Sequence, residues 1–201
     1  MLAGTAAGNP QHIEEGRKQV MAVREIIRMG HPTLRRRARE LSVQEIRSDE
    51  TRLLVADMID TLRASGGIGL AAPQIDESVR LAVIEIPGGR TRYGEIPAMP
   101  LSVFVNPRLE PVAGAERCGY WEGCLSVPGL RGFVSRPQHV RLRALNLQGE
   151  PLTLELQGFL ATVFQHELDH LDGRLYIDLI EDPTQLVFEE EYERYIAPTE
   201  A

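Results

Sequence analysis

The stretch QHELDH, residues 165–170, decides how this chain is expected to fold and which chemistry it can carry. His166 and His170 are four residues apart, about one turn of an α-helix, so both side chains would project from one helical face. A single metal ion can bridge two histidines at that separation, and Glu167 would lie beside the ion, where a carboxylate can take a proton from bound water. The motif therefore predicts a helix that carries a catalytic metal site. The alternative is an exposed helix that happens to contain two histidines.

The residues around this motif have the apolar periodicity of a helix that runs from Gly158 to Leu171, with Gly173 in the stop position. A second amphipathic helix is predicted from Asp49 to Ser65, with Ser48 as its cap and Gly66 as its stop. Near the C-terminus, the pair Asp182-Pro183 predicts the cap and first turn of a short third helix.

Strand patterns occupy the middle of the chain. RLAVIEIP (80–87) and LSVFVNP (101–107) predict two strands, and the Gly- and Pro-rich residues between them, 88–100, predict a surface loop. The alternation on both sides of a Gln-Gly-Glu-Pro turn in 140–157 predicts a β-hairpin. We therefore expect an α+β fold in which antiparallel strands pack around a central helix that carries the H-E-x-x-H metal motif.

The 201 residues are 43 % hydrophobic and 25 % charged, which is typical of one globular domain. Patterned sequence begins near Met21, so we predict an N-terminal tail or upstream extension at 1–20 and a single domain at 21–201. No apolar run is long enough to span a membrane. Two cysteines cannot form a disulfide framework, which favours a reducing cytosol.

Charge is unevenly distributed. Residues 181–201 contain seven acidic residues and one arginine, whereas residues 24–40 contain six arginines and two glutamates. A basic segment of this size could touch RNA, but a solvated face is the preferred interpretation. The sequence contains no nucleic-acid-binding motif.

A catalytic ion usually has three protein ligands plus water, so a third ligand is required. Tyr176 stands where the metzincin pattern would place a third histidine. A zinc endopeptidase of the gluzincin type would use a downstream glutamate, and Glu189, Glu190 and Glu191 lie at a plausible distance. Cys124, in WEGCLSVPG, is the other candidate, although a single buried cysteine is usually a small core side chain. The residues alone leave these options open.

The stretch GGIGLAAPQ, residues 66–74, places glycines after a helix and leads to one polar side chain, Gln74. A tight turn is the simplest interpretation. The functional interpretation is a close backbone approach to an extended ligand, with the Gln74 amide supplying a hydrogen bond.

Taken together, GIGLAAPQ, EGCLS and HELDH resemble, in order and spacing, the three signature blocks of the peptide deformylase family, and the resemblance runs from about Val23 to Ile180. It implies that Cys124, His166 and His170 hold the metal and that Glu167 is the acid/base. It also implies that Gln74 and the backbone N–H of Leu125 bind the oxyanion.

The same resemblance implies a substrate-binding region. Backbone groups around Ile68 and Gly69 would pair with the substrate strand, Arg131 would contact its second residue, and Glu122, beside Gly123, would pair with Arg136. The positions that match the methionine pocket are Ile68, Tyr120, Phe159, Thr162, Val163 and His166.

The implied activity is hydrolysis of the N-formyl group from the formyl-methionine of new proteins, with release of formate. The implied cofactor is one divalent ion, Fe²⁺ natively, replaceable by Zn²⁺, Ni²⁺ or Co²⁺. The partners would be N-formyl-methionyl nascent peptides, in the cytoplasm or in an organelle of bacterial origin. Many bacterial relatives end in a long basic helix thought to dock on the ribosome, whereas this chain ends in a short acidic one. We expect this helix to be dispensable for the chemistry on short peptides, since no motif residue lies in it. The rival functions are a zinc endopeptidase and a formyl-peptide-binding or ribosome-associated protein without chemistry.

Overall fold

The computed structural model describes residues 22–91 and 94–197, and for residues 90, 91, 94 and 95 it describes the backbone only. The predicted tail, 1–20, lies outside the described residues, and the single domain at 21–201 stays a prediction. The α-helices of the described residues are α1 (Val43–Ile46), α2 (Asp49–Ser65), α3 (Gly158–Leu171) and α4 (Glu189–Tyr195). The strands are β1 (Gly69–Ala71), β2 (Leu81–Ile86), β3 (Gly89–Thr91), β4 (Gly94–Ile96), β5 (Met99–Pro111), β6 (Arg117–Cys124), β7 (Val127–Pro137), β8 (His139–Leu145), β9 (Pro151–Gln157) and β10 (Leu186–Phe188).

The strands form three antiparallel sheets. The largest has the order β1-β2-β5-β8-β9, a second has the order β10-β7-β6, and β3 pairs with β4 alone. Each of the pairings between these strands is antiparallel. The expected α+β class with antiparallel strands is therefore confirmed.

The position of strand β2 between two helices explains why its sequence is apolar on both faces. Leu81 and Val83 pack in the cluster that includes Met58 and Leu62 of α2. The residues of opposite parity, Ile84 and Ile86, pack in a separate cluster with α3. Successive side chains of a strand point to opposite faces, so β2 is covered by a helix on each side.

Helix α2 has the predicted boundaries because both of its ends carry the expected signals. The Ser48 hydroxyl accepts a hydrogen bond from the Thr51 N–H, and Gly66 ends the helix in the left-handed region, with φ of 68°. At the end of α2 the chain turns directly into β1, so the helix positions the glycine-rich stretch at an edge of the large sheet.

Helix α3 carries the whole 165–170 motif and is held in place by its apolar face. Phe164 and Leu171 are fully buried and pack in the cluster formed by the large sheet. The Phe164 ring meets that of Phe104, on β5, edge to face with centroids 5.0 Å apart. The polar face of the helix, with both histidines, is thereby turned away from the sheet core.

Three expectations about secondary structure need correction. Residues 88–100 are not simply a loop, because they contain the β3–β4 hairpin and the start of β5. Asp182 caps only a 3-10 turn, Pro183–Gln185, and the last helix begins later, at Glu189, after β10.

The sequence interpretation also missed β6 and β7. Their connection, Leu125-Ser126, lacks the glycine or asparagine that usually marks a two-residue hairpin turn.

The hairpin in 140–157 is confirmed as β8 and β9, in register from His139 opposite Gln157 to Leu145 opposite Pro151. The arginines of residues 24–40 are largely paired with acids, among them Arg24 with Asp57 and Arg39 with Glu45. None of the helices in the described part of the chain is long and apolar enough to span a membrane.

Candidate active site

Three potential metal ligands meet where the end of β6 approaches α3. Cys124 is the last residue of β6, and His166 and His170 follow each other by one turn on α3. The Cys124 Sγ lies 3.3 Å from the His170 Nε2, and the ligand atoms of all three side chains lie within 4.8 Å of one another. This group can hold one metal ion, and a thiolate with two imidazoles is a donor set that divalent transition metals accept.

A chain of buried ion pairs orients His166. Its Nδ1 lies 2.7 Å from the Glu122 Oε2, which leaves Nε2 for the cysteine side of the site. The Arg136 guanidinium donates to both carboxylate oxygens of Glu122, at 2.6 and 3.0 Å, and to Asp169 at 2.7 Å. A carboxylate on the outer nitrogen of a ligating histidine fixes the ring and its tautomer, so the predicted Glu122–Arg136 pair lies directly behind a candidate ligand.

The electrostatics of this group favour a thiolate. Burial alone would raise the pKa of the Cys124 thiol, but His170 and His166 outweigh that effect and hold the pKa well below its usual value. Burial alone would lower the pKa of His166, but Cys124 and Glu122 raise it well above its usual value. Cys124 and His166 thus stabilise each other's charged forms, and the thiolate is the form of cysteine that binds a cation.

Glu167 is buried beside the cluster, and burial raises the pKa of its carboxyl group. Its Oε2 is buried without a hydrogen-bond partner among the described residues. The neighbouring strand comes close because residue 69 is glycine, since any Cβ at Gly69 would collide with the Glu167 carboxylate. A buried acid with a free oxygen is suited to accept or donate a proton.

Gln74 is almost fully buried, and its amide has a fixed orientation. Its Oε1 accepts a hydrogen bond from the Ala71 N–H at 2.9 Å. That bond turns Nε2 toward the cluster, where it lies 3.7 Å from the Cys124 Sγ and 3.3 Å from the Ser126 Oγ. Leu125 occupies the turn between β6 and β7, directly after Cys124.

A cavity of about 590 Å³ opens onto this group. The predicted substrate-binding residues all line it: Ile68, Gly69, Tyr120, Glu122, Gly123, Arg131, Phe159, Thr162 and Val163. The rings of Tyr120 and Phe159 meet edge to face with centroids 6.2 Å apart. Gly69 belongs to β1, an edge strand of the large sheet, so one side of that strand is open to pairing.

The rival third ligands lie elsewhere. Tyr176 stacks on the His166 ring with centroids 6.0 Å apart, and its hydroxyl donates to the Leu130 carbonyl. Glu189 accepts hydrogen bonds from Arg131. The group of converging ligand atoms found among the described residues includes none of Glu189, Glu190 and Glu191.

Sequence reasoning missed two residues that touch the site. Ser126 is fully buried and accepts from Gln74, and Asp169 accepts from Arg136. Asp169 lies inside the 165–170 motif, where an acid amid apolar residues of a buried helix could have indicated a buried ion pair. Ser126 carries no comparable signal.

The fold and the site together indicate a general class of enzyme. An α+β fold in which a helix-borne H-E-x-x-H sequence and a converging cysteine meet beside a cavity is the arrangement expected of a hydrolase site that could hold one metal ion.

The chain belongs to the polypeptide deformylase family, whose model matches residues 23–185. It is 40 % identical over 158 residues to the peptide deformylase of Leptospira biflexa, covering 79 % of this chain and 88 % of the relative. It is 45 % identical over 174 residues to peptide deformylase 1 of Prochlorococcus marinus, covering 86 % and 88 %. A Met-Ala-Ser-bound crystal structure of the class I type b peptide deformylase from Acinetobacter baumannii superposes with a TM-score of 0.74 at 36 % identity, covering 80 % of this chain and all of that one. The expected family and enzyme class are therefore confirmed.

Proposed function

We propose that this chain removes the N-formyl group from the N-terminal formyl-methionine of newly synthesised proteins, releasing formate, with one divalent ion held by Cys124, His166 and His170. The observation that supports it best is the convergence of these three side chains beside a buried carboxylate, Glu167, next to a cavity that Cys124, His166 and Glu167 line. Membership in the deformylase family supports the same reaction.

The residues present fit a metal ion. Three donor atoms, from a thiolate and two imidazoles, lie within 4.8 Å of one another. A divalent ion held by these residues would lower the pKa of a bound water towards about 7, so that hydroxide would be available at neutral pH. Zn²⁺ suits these ligands by softness, whereas the family resemblance favours Fe²⁺. A ferrous site beside a thiolate should lose activity in air.

Glu167 would handle the protons. Its raised pKa and its free Oε2 suit a group that accepts a proton from the attacking water and later gives it to the leaving amine. The Gln74 Nε2 points into the same space, and it would donate to the oxygen of the formyl group as negative charge develops there, together with the N–H of Leu125. Losing one such donor typically costs on the order of 3 kcal/mol in the transition state.

The substrate would bind as an added strand along β1. That strand is at a sheet edge, and its glycine at residue 69 lets a backbone come close to the site. The aromatic pair Tyr120 and Phe159, with Val163 and Ile68, offers an apolar pocket for an unbranched methionine side chain. A formyl group presents hydrogen where an acetyl group carries a methyl, so acetylated peptides should be poor substrates.

The test is formate release from formyl-Met-Ala-Ser by anaerobically purified protein whose metal content is measured on the same sample. The tripeptide is chosen because the Acinetobacter baumannii relative binds Met-Ala-Ser. We expect chelator-sensitive release of formate, little turnover of acetyl-Met-Ala-Ser and no cleavage of casein. Release no faster than in the chelator-treated control would refute the proposal, and cleavage of casein would favour an endopeptidase.

A further inference from the structure

Glu189 reaches the cavity from the C-terminal segment of the chain. It is the first residue of α4, and this short helix is anchored on both sides. Before it, β10 pairs with β7, with Val187 opposite Arg131. Within the helix, one turn after Glu189, the buried Tyr192 packs on Trp121, with ring centroids 5.2 Å apart. The position of the Glu189 carboxylate is therefore set by backbone pairing and ring packing.

That carboxylate holds Arg131. The Arg131 Nε donates to the Glu189 Oε1 at 2.9 Å, and its Nη2 donates to the same oxygen. The guanidinium lies against Gly123, where any Cβ would collide with it. The Arg131 side chain is 15 % exposed and that of Glu189 is 35 % exposed, so the pair lies partly shielded from water.

The charge of the cavity depends on this pair. Both residues line the cavity, and Arg131 is the only arginine or lysine among the described residues that do so. The other acids there are Glu122, which is paired with Arg136, and the buried Glu167. With Arg131 already paired, an incoming acidic side chain finds no free cation and meets the negative charge of the first turn of α4, from Glu189 to Glu191.

We propose that Glu189 is a specificity-determining residue, which makes the cavity select against acidic side chains, and in favour of basic ones, in the two substrate residues that follow methionine. The inference rests on the proposed function for its substrate class. A carboxylate at those positions must compete with Glu189 for Arg131, whereas an ammonium group can pair with the face of Glu189 turned to solvent. Removing the charge of Glu189 frees Arg131 and should invert the preference.

The test measures binding of the product peptides Met-Glu-Ser and Met-Lys-Ser, and of Met-Ala-Glu and Met-Ala-Lys, to the metal-loaded enzyme by calorimetry. Wild type should bind each lysine peptide more tightly than its glutamate counterpart. In Glu189→Gln, the ratio of the two Kd values should move toward the glutamate peptide by about tenfold or more in at least one pair, because a like charge becomes a neutral amide beside a freed cation. The shift should shrink at 1 M salt, where the Debye length is about 3 Å.

Glu190→Gln is the matched control, since it removes the same charge from the same turn at an exposed position. A shift in Glu190→Gln as large as in Glu189→Gln would reduce the effect to net charge and overturn the inference. A wild-type preference for glutamate peptides would also overturn it. Formate release is measured on the same samples. Its absence would refute the proposed reaction, but the binding ratios would still decide the role of Glu189.

Discussion

Cys124 and Cys118 are the two cysteines of the chain, and their surroundings differ completely. Cys124 lies 3.3 Å from a histidine nitrogen, whereas Cys118 is exposed and its Sγ contacts only the neighbouring Gly119 carbonyl among the described residues. We predict that Cys124→Ala leaves a two-histidine site that loses its metal and falls to background activity. Metal analysis and formate release check this.

Cys118→Ala is the control for that experiment and should keep both its metal and its activity. A Cys124→Ala protein with full metal occupancy would overturn the ligand assignment and revive the downstream glutamates as candidates.

A substitution at Glu167 should affect turnover without affecting metal binding. Because it is not among the three converging donors, Glu167→Gln should retain the ion while it loses the proton carrier. General acid–base catalysis typically contributes about 10²- to 10⁴-fold, so kcat should fall by that order. Parallel measurement of metal content and kcat tests this. A loss of metal in proportion to the loss of activity would mean that Glu167 is itself a ligand.

Individual residues of the site differ in how well the sequence predicts their contacts. The spacing of two histidines in one helical turn is local, so the pattern alone indicates a shared face. The Arg131–Glu189 pair joins residues 58 positions apart, and a glutamate among other glutamates resembles a solvated face. Only the pairing of β10 with β7 brings the two together, and no local pattern encodes that pairing.

Strand β1 passes close to the Glu167 side chain at Gly69. Gly69→Ala would place a methyl group in the space of the Glu167 carboxylate, so either the strand or the carboxylate must move. A displacement of about 1 Å can cost about 100-fold in rate, and we expect a loss of that order in kcat/KM for formyl-Met-Ala-Ser.

Gly67→Ala provides the comparison for that variant, because its Cβ would meet the flexible end of Leu125 at 3.0 Å. It should lose clearly less activity. Equal activity of Gly69→Ala and wild type would show that the close approach of β1 to α3 has no catalytic importance.

Elements with paired start and stop signals were predicted well, as the match of Ser48 and Gly66 to the ends of α2 shows. The β6–β7 hairpin was missed for a physical reason. Leu125 and Ser126 connect the strands without a positive φ, so the turn requires neither glycine nor asparagine and leaves no compositional mark. The last helix was placed too early because Asp182 and Pro183 serve a 3-10 turn that has the same start signal as an α-helix.

At the scale of the whole molecule, Arg136 joins the three-stranded sheet β10-β7-β6 to α3. It is buried on β7 and binds Glu122 of β6 and Asp169 of α3. Arg136→Met would remove the buried cation that Glu122 and Asp169 share, and breaking a buried ion pair in this way typically costs about 3 to 5 kcal/mol. The free energy of unfolding from urea titration should fall by that amount, and activity should fall as well because His166 loses its support.

Arg174→Met removes another partner of Asp169, but this side chain is 52 % exposed. Its loss should cost at most about 1 kcal/mol, as for other surface ion pairs. Equal losses in the two variants would contradict a special role for the buried pair.

The cavity lies between free edges of two sheets, since β1 ends one sheet and β6 ends the other. An edge that is open enough to accept a peptide is equally open to a strand from another copy, so the geometry that admits substrate also carries a risk of aggregation. The chain limits that risk by length, because β1 and β10 have three residues each. At the opposite edge of the large sheet, β9 begins with Pro151 and presents Glu155, two features that discourage pairing between molecules. Lengthening β1 with further apolar residues would thus be expected to reduce solubility before it improved the grip on any peptide.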